Sequence, residues 1–490
     1  MALVILVIYG MALILILLYS LMQMNLVINY IRSKKNGKFN AGDKLEISAA
    51  SLPYVTVQLP LFNEMYVVER LLEQVSKMNY PAEKLEIQVL DDSTDETTEL
   101  ALRKVEKLQT EGLNIHFIHR KNRNGFKAGA LEEGLIKSRG EFIAIFDADF
   151  IPQPSFLLDT VSCFEDPKVG MVQTRWGHVN RDYSLLTRLQ AFGLDAHFSV
   201  EQSGRSQGGH FINFNGTAGV WRKTCIHDAG GWEHDTLTED LDLSYRAQLK
   251  GWKFRYLEDI STPAELPVVM SAVKNQQFRW TKGGAENFRK MLSRIISSRN
   301  IPLKTKLHGF FHLMNSSIFI CVLLTALFSV PLIYIKYYYP RYDTAFNISS
   351  IFLVCTFFLM IFYWHSFQEK KGGFISDFIR FFKTFVLFLA TTMGLSLHNS
   401  VAVLEGYLGK KSSFVRTPKF NLLSSNDKWA ENKYLVRSIG IITILEGLLT
   451  FYFLFGIISA FVLKEYGLLP FHLMLFWGFS FVFVNSLKKH

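Results

Sequence analysis

The chain has 490 residues, of which 49% are hydrophobic, 14% aromatic and 20% charged, long enough for several domains and too apolar for a protein wholly in water. A net charge of +10, from 53 Lys and Arg against 43 Asp and Glu, would suit a nucleic-acid partner, but no basic run is interleaved with such a motif and the excess gathers beside apolar stretches. Cys163, Cys225, Cys321 and Cys355 lie far apart, two of them in apolar spans and none at zinc-site spacing, so they are expected to be reduced, buried and inert.

In chain order, residues 1–31 precede the first charge, Arg32, and suffice to cross a bilayer, which takes about 20 residues. A signal peptide would carry its basic residues first and a shorter apolar core, whereas Arg32, Lys34, Lys35 and Lys38 follow. An uncleaved helix is expected, with its N-terminus outside and the next domain in the cytosol. From 36 to 300 the composition is that of a water-soluble domain. Val55–Leu59, Glu86–Leu90, Ile115–Ile118 and Phe142–Phe146 read as buried strands, and 64–78, 95–109 and 127–138 as helices.

That alternation predicts an α/β domain with a mostly parallel, Rossmann-like sheet, whose ligands bind beyond the carboxyl ends of the strands. The stretch 285–299 sets Phe288, Met291, Leu292, Ile295 and Ile296 on one face, away from Arg289, Lys290, Arg294 and Arg299, as an amphipathic helix on a membrane surface would. Further spans are expected near 310–335, 345–367, 438–463 and 466–487. The segment 384–404 is long enough to cross but is flanked by Arg380, Lys383, His398 and Glu405, which suit an interfacial or re-entrant course. The implied domains are 1–35, 36–284, 285–309 and 310–490.

Four clusters in this block carry chemistry. Asp147-Ala148-Asp149, after an apolar strand, offers hard oxygen ligands for a divalent cation on a diphosphate, although an isolated D-x-D is as readily a solvated pair. Asp91 and Asp92 can accept hydrogen bonds from a base or ribose, or introduce a helix capped by Ser93, Thr94 or Asp95. Thr238-Glu239-Asp240 opens a helical run closed by Gly251; Thr238 suits an N-cap, and a carboxylate there suits a general base. Gln276-Gln277-Phe278-Arg279-Trp280 joins an amide, a guanidinium that can grip phosphate and an indole that can stack on a sugar, or is a surface pair packed on a neighbouring helix. Their order and spacing favour function.

The set D-D, D-x-D, T-E-D and Q-x-x-R-W resembles the processive family 2 glycosyltransferases, which include cellulose, chitin and hyaluronan synthases. Residues 172–181 (VQTRWGHVNR), 209–219 (GHFINFNGTAG) and 276–283 (QQFRWTKG) are similar to the plant cellulose synthase-like mannan and glucomannan synthases, the xyloglucan-backbone glucan synthases and their bacterial counterparts. The resemblance is dense from about 50 to 300. It implies a GT-A fold, inversion at the anomeric carbon, a nucleotide sugar donor such as GDP-mannose or UDP-glucose, and Mg²⁺ or Mn²⁺.

Residue by residue, the resemblance implies that Asp91 and Asp92 hold the nucleoside beside Pro60, Asn63 and Glu64, and that Asp147 and Asp149 hold metal and diphosphate. Lys127 matches the family's lysine near the donor, Asp240 the base with Glu239 toward the acceptor, and Gln276 and Arg279 the diphosphate contacts. Trp280 matches the platform under the acceptor sugar, and Asn215, Gly216 and Thr217 the acceptor loop. Phe414-Val415-Arg416-Thr417-Pro418-Lys419 resembles the gating loop of bacterial cellulose synthase in Phe414, Thr417 and Lys419, with Phe420 where that loop has glycine; a plain connector is the alternative.

The expectation is a multi-pass membrane enzyme of cell-wall type that polymerises a β-linked glycan in the cytosol and passes it outward. No cyclic dinucleotide-binding module is expected after the last span. A lipid glycosyltransferase of the ceramide glucosyltransferase type and an inactive scaffold or transport subunit are the alternatives. Lys370-Lys371, Lys488 and Lys489 all fall on the cytosolic side if 384–404 does not cross.

Overall fold

The computed structural model describes residues 1–35, 51–367, 369, 372–412, 415–422, 433–434 and 440–488. The polar block folds around a seven-stranded sheet: β1 (Val55–Leu61), β2 (Leu85–Asp91), β3 (Ile115–His119), β4 (Phe142–Ile145), β5 (Val169–His178), β6 (Gly219–Arg222) and β7 (Lys253–Ala264). Their order is β3-β2-β1-β4-β6-β5-β7. The first four are parallel, with Val57 opposite both Ile87 and Ala144. β6 runs against β4 and β5, and β7 runs with β5.

The central strands are buried on both faces, which explains their continuous apolar runs. Val55, Val57, Leu59 and Val89 are fully buried. The polar residues among them pair across strands: Thr56 Oγ1 donates to Glu86 Oε2 at 2.6 Å, and Gln58 Nε2 to Gln88 Oε1 at 3.1 Å. Helices Val68–Ser76, Thr97–Thr110 and Phe126–Lys137 realise the three expected ones. The first starts at Val68 rather than 64 because Asn63, at φ +55°, turns the chain just before it.

Two expected segments differ from the fold. The stretch 285–299 is the second half of one helix, Met270–Ser297, which also carries Gln276, Arg279 and Trp280. Met291 and Ile295, from its apolar face, are buried against Tyr245 and Leu313, so protein covers much of the side assigned to lipid, while Ile296 stays exposed. The segment 384–404 begins at Phe374 and breaks at Leu395 into helices Phe374–Gly394 and Ser396–Tyr407, bent by 51°.

Among the described residues, five helices are long and apolar enough to cross a membrane: Ala2–Lys35, Leu303–Tyr338, Pro340–Ser366, Ile441–Val462 and Tyr466–Leu487. All coincide with the spans expected from sequence. A Cβ on Gly394 would lie 2.3 Å from the Gly478 carbonyl oxygen, and one on Gly478 would lie 1.9 Å from that of Ala390. The broken pair and the last span therefore touch backbone to backbone. The first span is tied to the sheet at Glu258, which accepts from Tyr30 at 3.0 Å and from Ser203 at 2.7 Å. All four cysteines are free; Cys163 is half-buried and the others buried.

Candidate active site

A cleft opens beyond the carboxyl ends of β1, β2 and β4. Its walls include Pro60, Glu64, Asp92, Lys127, Asp147, Asp149, Asn215, Gly216, Glu239, Asp240, Gln276, Arg279, Trp280, Thr417 and Lys419, so all four sequence clusters meet in one place. Asn63, Asp91 and Thr217 stand behind this wall. Asp91 is fully buried; it accepts from the Ser93 backbone N–H at 3.1 Å and from Thr98 at 2.8 Å, and pairs with His119 Nδ1 at 2.8 Å. Asn63 locks the loop after β1 to that after β2: its N–H donates to Ser93 Oγ at 2.8 Å and its side-chain oxygen accepts from the Thr94 N–H at 2.8 Å. Thr217 Oγ1 accepts from the Asp147 N–H at 2.9 Å, setting the first D-x-D carboxylate.

Asp92, Asp147, Asp149 and Glu64 each carry a cation. Arg120 grips Asp92 with two nitrogens, its Nε at 2.6 Å. Lys127 Nζ lies 2.6 Å from Asp147 Oδ1 and 2.8 Å from the Gly216 carbonyl. Lys419 Nζ lies 2.6 Å from Asp149 Oδ2, and Arg416 lies 2.7 Å from Glu64. Burial lifts the Glu64 carboxyl to about 7 despite Arg416 and Lys419. Burial pulls the Lys127 ammonium down, but Asp147 and Glu239 outweigh it and hold the group above its usual value.

Another wall of the cleft is built on one helical stripe. Gln276, Arg279, Trp280, Gly283 and Asn287 recur at intervals of three and four on Met270–Ser297 and share a face. Gln276, Arg279 and Trp280 of this stripe line the cleft. Asn287 Nδ2 donates to Thr238 Oγ1 at 2.9 Å, and a Cβ on Gly283 would lie 2.5 Å from that oxygen. Thr238 makes no side-chain cap bond to its helix; it docks Glu239 and Asp240 on the stripe. Burial, then the charge of Glu239, raises the Asp240 carboxyl, and burial raises that of Glu239. Asn215 is held by Gln202 at 2.7 Å and His197 at 3.0 Å.

The segment Val415–Leu422 lies across the cleft. Thr417 Oγ1 accepts from Arg279 at 2.8 Å, and Glu265 receives the backbone N–H groups of Phe420 and Asn421 at 2.8 and 2.9 Å. Phe414, singled out with this loop, lies outside the described residues.

Residues 53–283 match the family described as glycosyltransferase like family 2. The chain is 36% identical over 419 residues to glucomannan 4-beta-mannosyltransferase 1 of Oryza sativa subsp. japonica, covering 81% of this chain and 75% of that protein. This chain belongs to glycosyltransferase family 2. It is also 42% identical over 332 residues to glucomannan 4-beta-mannosyltransferase 7 of Arabidopsis thaliana, which covers 64% of this chain and 60% of that one. The chain spans 57 to 62% of the length of three such relatives, from Arabidopsis thaliana and Cyamopsis tetragonoloba. The solved complex of mannosyltransferase PcManGT from Pyrobaculum calidifontis with GDP-Man and Mn²⁺ superposes with a TM-score of 0.50 at 18% identity, over 80% of this chain and 100% of that one. The fold is GT-A.

Within this family 2 cleft, sequence reasoning missed Arg120, Arg416 and Glu265, which neutralise or fix the chosen acids and the covering loop. Their signal was a basic or acidic side chain at the end of a strand or beside a chosen motif. A further acidic group, Glu233, Asp235 and Asp242, could hold a cation, but the Lys290 ammonium fills it at 2.6 to 2.8 Å. The Gly283–Thr238 contact gives a direct test. Gly283→Ala should push Thr238 and Asp240 out of line at a strain of about 1–3 kcal/mol. Sugar transfer should fall at least tenfold, by roughly 1.4 kcal/mol or more in the barrier, while calorimetric nucleotide affinity stays near wild type.

Proposed function

We propose that the chain is a processive, inverting glycosyltransferase that extends a β-1,4-linked mannan, glucomannan or glucan from a nucleotide sugar and passes the product through its own membrane helices. The observation that carries this reading is the convergence of Asp240, the Lys127–Asp147 pair and the Gln276–Arg279–Trp280 face on one cleft. The names of the relatives favour GDP-mannose over UDP-glucose as donor.

Asp240 removes the proton of the acceptor hydroxyl as that oxygen attacks the anomeric carbon. The bond from that carbon to the diphosphate oxygen breaks with its electron pair, and the nucleoside diphosphate leaves. Attack from the face opposite the leaving group inverts the centre. Lys127, Arg279 and Lys419 surround the leaving group with positive charge, Gln276 supplies a further contact, and Trp280 stacks under the acceptor sugar. Asp92, Glu64 and Pro60 border the nucleoside, with Asp91 and Asn63 setting the loops behind them; Glu239, Asn215 and Gly216 border the acceptor, with Thr217 behind them setting Asp147.

Asp147 and Asp149 present hard oxygen donors at a strand end that suit a divalent cation, which would use their second oxygens or displace Lys127 and Lys419 from Asp147 Oδ1 and Asp149 Oδ2. Mg²⁺ or Mn²⁺ bound there would neutralise charge on the departing diphosphate. The Val415–Leu422 segment, bonded to Asp149 and Arg279, acts as the cover that Thr417 and Lys419 hold over the donor. The catalytic domain faces the cytosol, the helix end near 285–309 lies at the bilayer surface, and the bent pair Phe374–Tyr407 does not cross.

Incubating purified protein with GDP-[¹⁴C]mannose or UDP-[¹⁴C]glucose, then digesting with linkage-specific glycanases, should yield long mannanase-sensitive product; single-sugar lipid products would refute the polymerase reading. Asp240→Asn should keep nucleotide binding and lower turnover by about 10² to 10⁴. Since burial raises the Asp240 carboxyl and the base must be ionised, activity should be full above that raised value and fall as pH drops through it. The acid limb should therefore lie nearer neutrality than the ~4 of an ordinary aspartate.

Asp149→Ala, or EDTA on the wild type, should abolish transfer, with Mn²⁺ restoring only the wild type; full activity in EDTA contradicts the metal assignment. A cysteine at Ser412 should resist a membrane-impermeant thiol reagent in intact cells while one at Tyr339 reacts. Labelling at Ser412 from outside would show that the bent pair crosses.

A further inference from the structure

The span Ile441–Val462 contains one charged residue, Glu446. Its carboxylate is fully buried and meets the Lys274 ammonium at 2.5 Å, and the lysine side chain is itself only 10% exposed. The other carboxylate oxygen, Oε1, has no hydrogen-bond partner among the described residues, so Lys274 supplies the compensation. An ionisable group in a membrane span is costly and commonly functional. A buried ion pair adds little stability over two apolar side chains of similar volume, so stability alone does not account for this one.

Its location suggests what it does. Lys274 lies two residues before Gln276 on Met270–Ser297, the helix whose stripe lines the acceptor side. The Lys274 carbonyl is 3.0 Å from His398 Nε2, and the His398 ring packs edge-on to Phe278 at 5.9 Å. His398 belongs to Ser396–Tyr407, the second half of the bent pair. Glu446 lies in the second turn of the span that follows the covering segment in sequence. Catalytic helix, bent pair and membrane span therefore meet at one residue.

We propose that Lys274 and Glu446 are positioning residues for the acceptor end of the growing glycan. Their ion pair fixes the rotation and height of Met270–Ser297, and with them Gln276, Arg279 and Trp280, against the helices through which the product leaves. The inference rests on the polymerase reading above. Misplacing a reacting end by about 1 Å can cost some 10²-fold in rate, so a pair that holds this helix matters more to chain extension than to folding.

The test uses the full chain in lipid nanodiscs with Mn²⁺, the nucleotide sugar that the wild type uses, and a defined acceptor oligosaccharide. Lys274→Met with Glu446→Leu keeps the site buried and removes its direction. This double variant should keep the thermal midpoint and donor KM of the wild type, while acceptor KM rises about tenfold and mean product length falls about fivefold.

The exchange Lys274→Glu with Glu446→Lys should bring acceptor KM back to within about threefold of wild type, whereas Glu446→Lys alone should not. A double apolar variant with wild-type acceptor KM and product length overturns the proposal. If that variant does not fold, the exchange decides: acceptor KM no better than in Glu446→Lys alone overturns it equally. The wild type run alongside separates the two levels, because a wild type that makes no polymer refutes the function itself, whereas an active wild type matched by its variants refutes only the positioning role.

Discussion

Charge compensation among crowded carboxylates is the constraint on which the rest of this structure depends. Asp92, Asp147, Asp149 and Glu64 stand close together at the ends of parallel strands, where unpaired carboxylates would repel one another or take up protons. Each is met by a cation from a different part of the chain: Arg120 from the loop after β3, Lys127 from the helix that follows, and Lys419 and Arg416 from a segment beyond the bent pair. This part of the cleft is thus assembled from the sheet domain and from the segment beyond the bent pair together. The polar block alone would leave Asp149 and Glu64 without their partners.

The same arrangement sets the electrostatics of the reaction. A nucleotide sugar, the proposed donor, would bring two negative phosphates into a cleft already lined by Lys127, Arg279 and Lys419, so the cations paired with the acids would be those that receive the leaving group. Burial raises the carboxyls of both Glu239 and Asp240, and the charge of Glu239 raises Asp240 further while Lys127 opposes both shifts. Side chains of one type thus sit in different environments: Asp147 and Asp149 are each paired with a lysine, whereas burial and the charge of Glu239 raise the Asp240 carboxyl.

The sequence made the first half of the sheet legible and the second half opaque for physical reasons. β1, β2 and β4 are buried on both faces and read as apolar runs, and helices of ordinary length separate β1 to β4. β6 has four residues, and β7, KFRYLEDISTPA, mixes charges with apolar residues because part of it is exposed, so neither shows a strand pattern. The site clusters were legible as residue types, but not which of them face the cleft. Asp91 reads like Asp92, yet its neighbours Ser93, Thr98 and His119 turn it inward, a fact of loop geometry that spacing does not record.

Gly283-Gly284 shows how a sound local rule can mislead. Paired glycines weaken a helix, and the expected limit between the Q-x-x-R-W stretch and the amphipathic stretch, at 284/285, falls just after them. In the fold neither glycine interrupts the helix. A Cβ on Gly283 would meet Thr238 at 2.5 Å, and one on Gly284 would meet Ser316 Oγ at 2.4 Å. The helix gives up propensity at both positions so that two other elements can approach it: the loop carrying the proposed base, and the start of the next membrane span. Met270–Ser297 therefore touches the cleft, the loop carrying the proposed base and the Leu303–Tyr338 span at once. No break in the helix separates Gln276, Arg279 and Trp280 in the cleft from Gly283 beside Thr238 and Gly284 beside Ser316.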